Sequence, residues 1–129
     1  IITIQDAFPS TAKEIEFVIN PRYNALDVTT LCGTNGEEFV QRINCESKAG
    51  KTDQQFTMNL LAPSLTEEYQ ADVTINVYGD GGTVLYSVLV EDVRLAANTK
   101  TLLSGKLFTA PSASVNVDHT WKSDIVGTF

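Results

Sequence analysis

Apolar and polar residues alternate along most of this chain. Ile15, Phe17 and Ile19 share one face of a run whose other face carries Glu14 and Glu16. Val73, Ile75 and Val77 alternate with Asp72, Thr74 and Asn76, and Val84, Tyr86, Val88 and Val90 follow the same rule. Shorter runs of this kind hold Phe56, Met58 and Leu60, and Val115 and Val117. Successive side chains of an extended strand point to opposite faces, so this period predicts strands with one buried and one wet face. β-branched and aromatic residues dominate these runs, as a pleated surface favours.

Turn-forming residues fall between the periodic stretches: Pro9-Ser10, Asn20-Pro21, Gly33 to Gly36, Ala49-Gly50, Ala62-Pro63-Ser64, Gly79-Asp80-Gly81-Gly82, Ala96-Ala97-Asn98 and Ala110-Pro111-Ser112. The clearest hairpin joins residues 73–78 and 83–90 through the glycine-rich turn, where Gly and Asp accept the positive φ that tight turns require. A second hairpin is predicted through Gly33-Thr34-Asn35-Gly36, between runs around Val28 and Val40. Ser64-Leu65-Thr66-Glu67 has the form of a helix capping box, with room for one or two turns before alternation resumes. Eight or nine short strands and no long helical pattern predict an all-β, two-sheet β-sandwich, a single domain over residues 1–129.

Composition narrows the function. Nine basic residues against sixteen acidic ones give a net charge of −7, which repels nucleic-acid backbones and anionic lipid surfaces. The longest apolar run, residues 84–90, is strand-sized and interrupted by Ser87, far short of a membrane-spanning helix. The chain begins at Ile1 without a signal-like segment, which reads as a processed or trimmed part of a longer product. Cys32 and Cys45 permit one disulfide, but the second hairpin would place one near its turn and the other near its far end, so two half-buried thiols are expected.

The chain offers little catalytic chemistry. His119 is the one histidine, and its neighbour Asp118 would point to the opposite face of a strand, so no Ser-His-Asp relay is expected. One His and two distant Cys do not make a zinc set, and the Gly79–Gly82 turn lacks both the alternating acids of a calcium loop and the Lys-Ser/Thr of a phosphate cradle. The acid pairs Glu37-Glu38, Glu67-Glu68 and Glu91-Asp92 are sequence neighbours that would face apart, unlike the opposed carboxylates of a glycosidase. No metal, no cofactor and no enzymatic activity are expected. Trp121, the one tryptophan, is the candidate contact aromatic: exposed, it would stack on a sugar ring or anchor an interface; buried, it would cap the core.

Two stretches carry a more specific signal. The first is Ile2-Thr3-Ile4-Gln5-Asp6-Ala7-Phe8-Pro9-Ser10, with Lys13-Glu14-Ile15-Glu16-Phe17 and Tyr23-Asn24-Ala25-Leu26-Asp27 after it. The second is Asn98-Thr99-Lys100-Thr101-Leu102-Leu103-Ser104-Gly105-Lys106-Leu107-Phe108, followed by Val115-Asn116-Val117 and Trp121-Lys122-Ser123-Asp124-Ile125. Together they resemble the fimbrillin-like proteins of Bacteroidetes, particularly the accessory and anchor-type subunits of fimbriae. The resemblance covers both ends of the chain and carries no catalytic content.

That resemblance implies lipoprotein precursors with two transthyretin-like, Greek-key β-sandwich domains, exported through the periplasm to the outer membrane and cell surface. Such proteins build, cap or anchor fimbriae by exchanging a strand between subunits. This chain would be the second sandwich. It lacks a lipobox cysteine, a first domain and a donor extension past Phe129, so membrane attachment would come only through a lipid anchor absent from this chain. The expected partners are other fimbrial subunits or host and bacterial surface ligands, met by strand addition, with no nucleic acid. The candidate strand-exchange segment is Ile1, Ile2, Thr3 and Ile4, with Ile2 and Ile4 on one face. The alternatives are an outer-surface glycan-binding module, with Trp121 beside Tyr23, Tyr69 or Tyr86, and an immunoglobulin-like spacer of a larger surface protein.

Overall fold

The computed structural model describes residues 1–108 throughout, together with the backbone of two further strands, Ser112–Val117 and Lys122–Thr128. The strands in chain order are β1 (Ile2–Ile4), β2 (Glu14–Asp27), β3 (Cys32–Asn44), β4 (Gln54–Phe56), β5 (Tyr69–Tyr78), β6 (Val84–Leu95), β7 (Thr99–Gly105), β8 (Ser112–Val117) and β9 (Lys122–Thr128). They form a four-stranded sheet in the order β4-β1-β7-β9 and a five-stranded sheet in the order β3-β2-β5-β6-β8. The expected all-β sandwich is the fold. Neighbours run antiparallel except β1 with β7 and β6 with β8.

The alternating residues do what their period requires. Ile15, Phe17 and Ile19 of β2, Val73, Ile75 and Val77 of β5, and Val88 and Val90 of β6 all face the interior. Opposite them, Ile2, Ile4, Phe56 and Leu103 supply the inner face of the smaller sheet. Phe17 and Phe56 meet with ring centroids 5.0 Å apart, and Phe8 packs on Phe108 at 4.8 Å. Fully burying one such side chain contributes about 1.5–3 kcal/mol. Asp6 ties the ends of this sheet together, its carboxylate accepting from the Leu107 and Phe108 amides at 2.9 and 2.8 Å.

Three local expectations are corrected. The β2–β3 hairpin, expected to turn through Gly33 to Gly36, turns at residues 28–31, before the glycines, and Gly33 to Gly36 lie within β3. Asp27 drives this choice: its carboxylate accepts from the Thr29 amide at 2.9 Å and hydroxyl at 2.7 Å, building a local turn, and the Leu31 amide donates to the Asp27 carbonyl at 2.8 Å. Gly33 is instead needed for close approach, since a Cβ there would sit 2.8 Å from Tyr23 Cβ and 2.9 Å from Leu61 Cβ. The Ser64 hydroxyl accepts from the Thr66 and Glu67 amides at 3.2 and 3.1 Å, but no helix follows. The strand expected through Phe56, Met58 and Leu60 ends at Phe56. The predicted β5–β6 hairpin does form, across a single 3-10 turn at Asp80–Gly82 in which Gly81 and Gly82 take φ of +70° and +77°.

Strand lengths also differ from expectation. β2, β3 and β6 span 14, 13 and 12 residues, so three strands are long rather than short. Register shifts between Ile19 and Arg22, and between Ala71 and Val73, let such long strands bend and twist without losing their buried face.

Candidate interaction site

Two features of one end of the sandwich result from unequal strand lengths. β2 pairs with β5 only from Glu14 to Asn20, yet continues against β3 as far as Asp27. Beyond Asn20 the hairpin is therefore a two-stranded arm, which extends about 20 Å over Arg22–Asp27 at the usual rise per residue. Tyr23 holds its base, edge-on to Tyr69 at 5.9 Å and bridged to Leu61, and nearer the turn the Gly33 amide, opposite Leu26, donates to the Ala62 carbonyl at 2.6 Å. Its tip presents Leu26, Val28 and Leu31 at 49%, 80% and 60% exposure.

The second feature is an apolar cleft of about 300 Å³ between the two sheets. Ile2, Ile19, Leu60, Val73, Val93 and Leu103 form its walls, and Thr57, Asn98 and Lys100 stand at its polar edge. It lies where β4 ends at Phe56. β4 and β1 are three residues each, and after Phe56 the chain crosses the opening unpaired, Met58 and Leu60 half-buried, until Leu61 reaches the arm. β7 runs on to Thr99, past the last β1 pairing at Leu103. The Ile1 amine donates to the Thr101 carbonyl at 2.9 Å, and burial lowers its pKa. Burial, with the Tyr23 hydroxyl nearby, pushes Tyr69 up to about 12, and its hydroxyl donates to the Leu61 carbonyl at 3.5 Å.

The candidate strand-exchange segment has a different place. Ile2–Ile4 lies in the interior of the small sheet, with β4 on one side and β7 on the other. Both rows of its main-chain groups face partners, and Ile2 and Ile4 are buried in the core. Ile1, Ile2, Thr3 and Ile4 therefore offer no free edge, and their expected role as the exchanged strand is overturned. Trp121, His119 and Asp118 lie outside the described residues.

Of the aromatics paired with Trp121 in the glycan alternative, Tyr23 and Tyr69 meet edge to face, and Tyr86 packs at 87° against Phe108. Cys32 and Cys45 are free thiols near opposite ends of β3, Cys45 fully buried and its thiol pushed above the usual value by that burial. Among the described residues no group of three His, Cys, Asp or Glu side chains is placed to hold a metal ion. Of the acid pairs, Glu37 accepts from Asn24 at 3.1 Å on the arm, and Glu68 takes a two-pronged ion pair from Arg94 at 3.1 and 2.7 Å.

Glu16 is the unexpected residue. Its strand pattern puts it on the wet face, yet it is 7% exposed. Arg42 Nε donates to one carboxylate oxygen at 2.7 Å, and Asn76 Nδ2 and the Tyr78 hydroxyl donate to the other at 2.9 and 3.0 Å. The Ser87 hydroxyl in turn donates to Asn76, and Arg42 stacks over the Tyr78 ring at 4.2 Å. Burial opposes ionisation, but the donors Asn76, Arg42 and Tyr78 outweigh it and hold the carboxyl below its ordinary range. A carboxylate engaged this way is a clamp across β3, β2 and β5. The spacing of Glu16, Arg42 and Asn76 in the sequence carries no sign of this cluster. The chain matches no protein-family model, no curated protein and no solved structure, so the fimbrillin-like resemblance rests on its sequence motifs alone.

Proposed function

We propose that this domain is a non-catalytic structural and adhesion module of the bacterial cell surface, a component or anchor of a fimbria-like assembly at the outer membrane. The observation that carries the reading is the apolar cleft between the two sheets at one end of the sandwich, with Ile2, Ile19, Val73 and Leu103 among its walls. An extended segment from another subunit would bury apolar side chains in such a cleft while its backbone pairs with an exposed strand edge, gaining from both terms. The partners are other subunits or surface ligands met by strand addition. Membrane attachment belongs to a lipid anchor elsewhere in the protein.

The test is isolation of the intact protein from the outer-membrane fraction of its native cell, with measurement of its mass and N-terminal modification. An acylated cysteine on a longer chain, together with the protein's presence on filaments by immunogold microscopy, is the expected result. A soluble unlipidated protein, or a chain fused to a hydrolase, would overturn the assembly reading and favour the glycan-binding or spacer alternative.

A further inference from the structure

We propose that Asn35 is a self-modification site: its side-chain amide closes onto the Gly36 nitrogen, releases ammonia and opens to aspartate and isoaspartate, loosening the β2–β3 arm. Asn35-Gly36 belongs to the run that reads as a turn in the sequence but lies inside β3. Packing explains the glycine. A Cβ at residue 36 would stand 3.0 Å from Tyr23 Cε1 and 3.3 Å from Pro21 Cβ, so the chain is kept bare beside the tyrosine ring. The same bareness leaves the Gly36 nitrogen without a side chain to hinder its approach to the preceding residue.

Asn35 is exposed and takes φ of +61°, a left-handed position that its short polar side chain tolerates. Its Nδ2 donates to Asn24 Oδ1 at 2.9 Å, and Asn24 Nδ2 donates to Glu37 Oε2 at 3.1 Å, both bonds exposed to solvent. Closing the ring requires the Gly36 nitrogen to swing toward Asn35 Cγ by rotation about the Asn35 Cα–C bond. In the sheet body such a swing would disturb pairing on both sides. Here β2 has lost β5 beyond Asn20 and β3 is the outermost strand, so only the β2–β3 ladder resists. Asn98 is the internal comparison. It too is exposed, with φ of +56°, but Thr99 follows, and its branched Cβ crowds the attacking nitrogen. Asn35 is the one asparagine in the chain followed by glycine.

The Gly36 N–H gives up its proton as the nitrogen lone pair bonds Asn35 Cγ; the Cγ–Nδ2 bond breaks, and ammonia carries the proton away. Water then cleaves either C–N bond of the cyclic imide. One cut restores an ordinary main chain with an aspartate at residue 35. The other routes the main chain through Cβ and Cγ, giving isoaspartate and a longer backbone. Either product removes the donor that Asn24 Oδ1 accepts and sets a second carboxylate beside the Asn24 amide that already serves Glu37. The longer backbone also breaks the register that pairs Tyr23 with Gly36 and Ala25 with Thr34, so the arm opens from its middle. The chemistry of residue 35 does not depend on what the domain binds, and so is separate from the assembly reading.

The purified chain, kept folded at mildly alkaline pH for weeks and then digested, reports the reaction by peptide mass and by methyl transfer from an isoaspartyl methyltransferase. The peptide holding Asn35 is expected to gain the mass of an amide-to-acid exchange, and to become a methyl acceptor, at least about tenfold faster than the peptide holding Asn98. In the aged chain, amide exchange at residues 22–26 speeds up while residues 15–19 keep their protection. Asn35→Gly, which accepts the same φ without a reactive amide, abolishes both time-dependent changes. An Asn35 that persists in the folded chain but converts in urea overturns the inference, because the strand then shields the site. So does conversion no faster than at Asn98, or a converted chain whose arm exchanges as before.

Discussion

The two halves of β2 and β3 are the same hairpin under two sets of rules. In the body, Ile15, Phe17 and Ile19 sit against a second sheet and Glu16 is clamped by donors from two neighbouring strands. In the arm, past Asn20, the ribbon has no sheet beneath it, and its aliphatic residues at the tip are exposed. A two-stranded ribbon alone is barely stable in water. The body therefore supports the arm through Tyr23, Gly33 and Leu61. Regular pairing alone confers little stability; what lies across the pleat decides it.

Phe17→Ala should separate the halves most sharply. It removes a fully buried ring that meets Phe56 and is expected to cost about 3–5 kcal/mol in urea unfolding. Gly33→Ala comes next. Its Cβ would fall 2.8 Å from Tyr23 and 2.9 Å from Leu61, so the arm must shift where it meets Leu61, at about 1–3 kcal/mol. A loss confined to the arm, seen as faster amide exchange at residues 22–26 with residues 15–19 unchanged, would place the damage at that joint.

Glu16→Gln is expected to cost about 1–2 kcal/mol by weakening charge-assisted hydrogen bonds, and to change the acid limb of the stability curve. Because the folded-state pKa of Glu16 lies below the ordinary value of 4.5, the unfolded chain binds that proton more readily. The stabilisation is complete above the unfolded pKa and is lost as pH falls through the folded one. The variant should flatten that part of the profile in denaturant melts below pH 4.5; an unchanged slope would show that the clamp contributes nothing through ionisation. The smallest effect belongs to the tip. Val28→Asp with Leu31→Asp is expected to move monomer stability by no more than about 0.5 kcal/mol per residue, since both side chains face solvent. In wild type, arm amides should exchange well before those of β2 in the body.

Much of the fold was legible beforehand because alternation is a local signal. Val73, Ile75 and Val77 announce a one-sided strand, and the Gly79–Gly82 turn next to them announces where it reverses. The first hairpin was misplaced because two turn chemistries compete in it. Glycines at 33 and 36 look like a turn, but Asp27 can bond its own backbone two residues on, and Gly33 is required for contact with Tyr23 and Leu61. That contact spans residues far apart in the chain, so no window of sequence displays it.

The amino-acid sequence by itself determined the all-β class, the inward faces of β2, β5 and β6, the glycine turn and the acidic charge. The first three depend on residues within a few positions of one another, and the charge on composition alone. Tertiary structure alone decided that Ile2–Ile4 lies between β4 and β7, that Glu16 is buried among Arg42, Asn76 and Tyr78, and that β2 and β3 outrun the sheet and leave a cleft at their base. A period of two states which face of a strand is apolar; it does not state which strand lies alongside, or how far either continues.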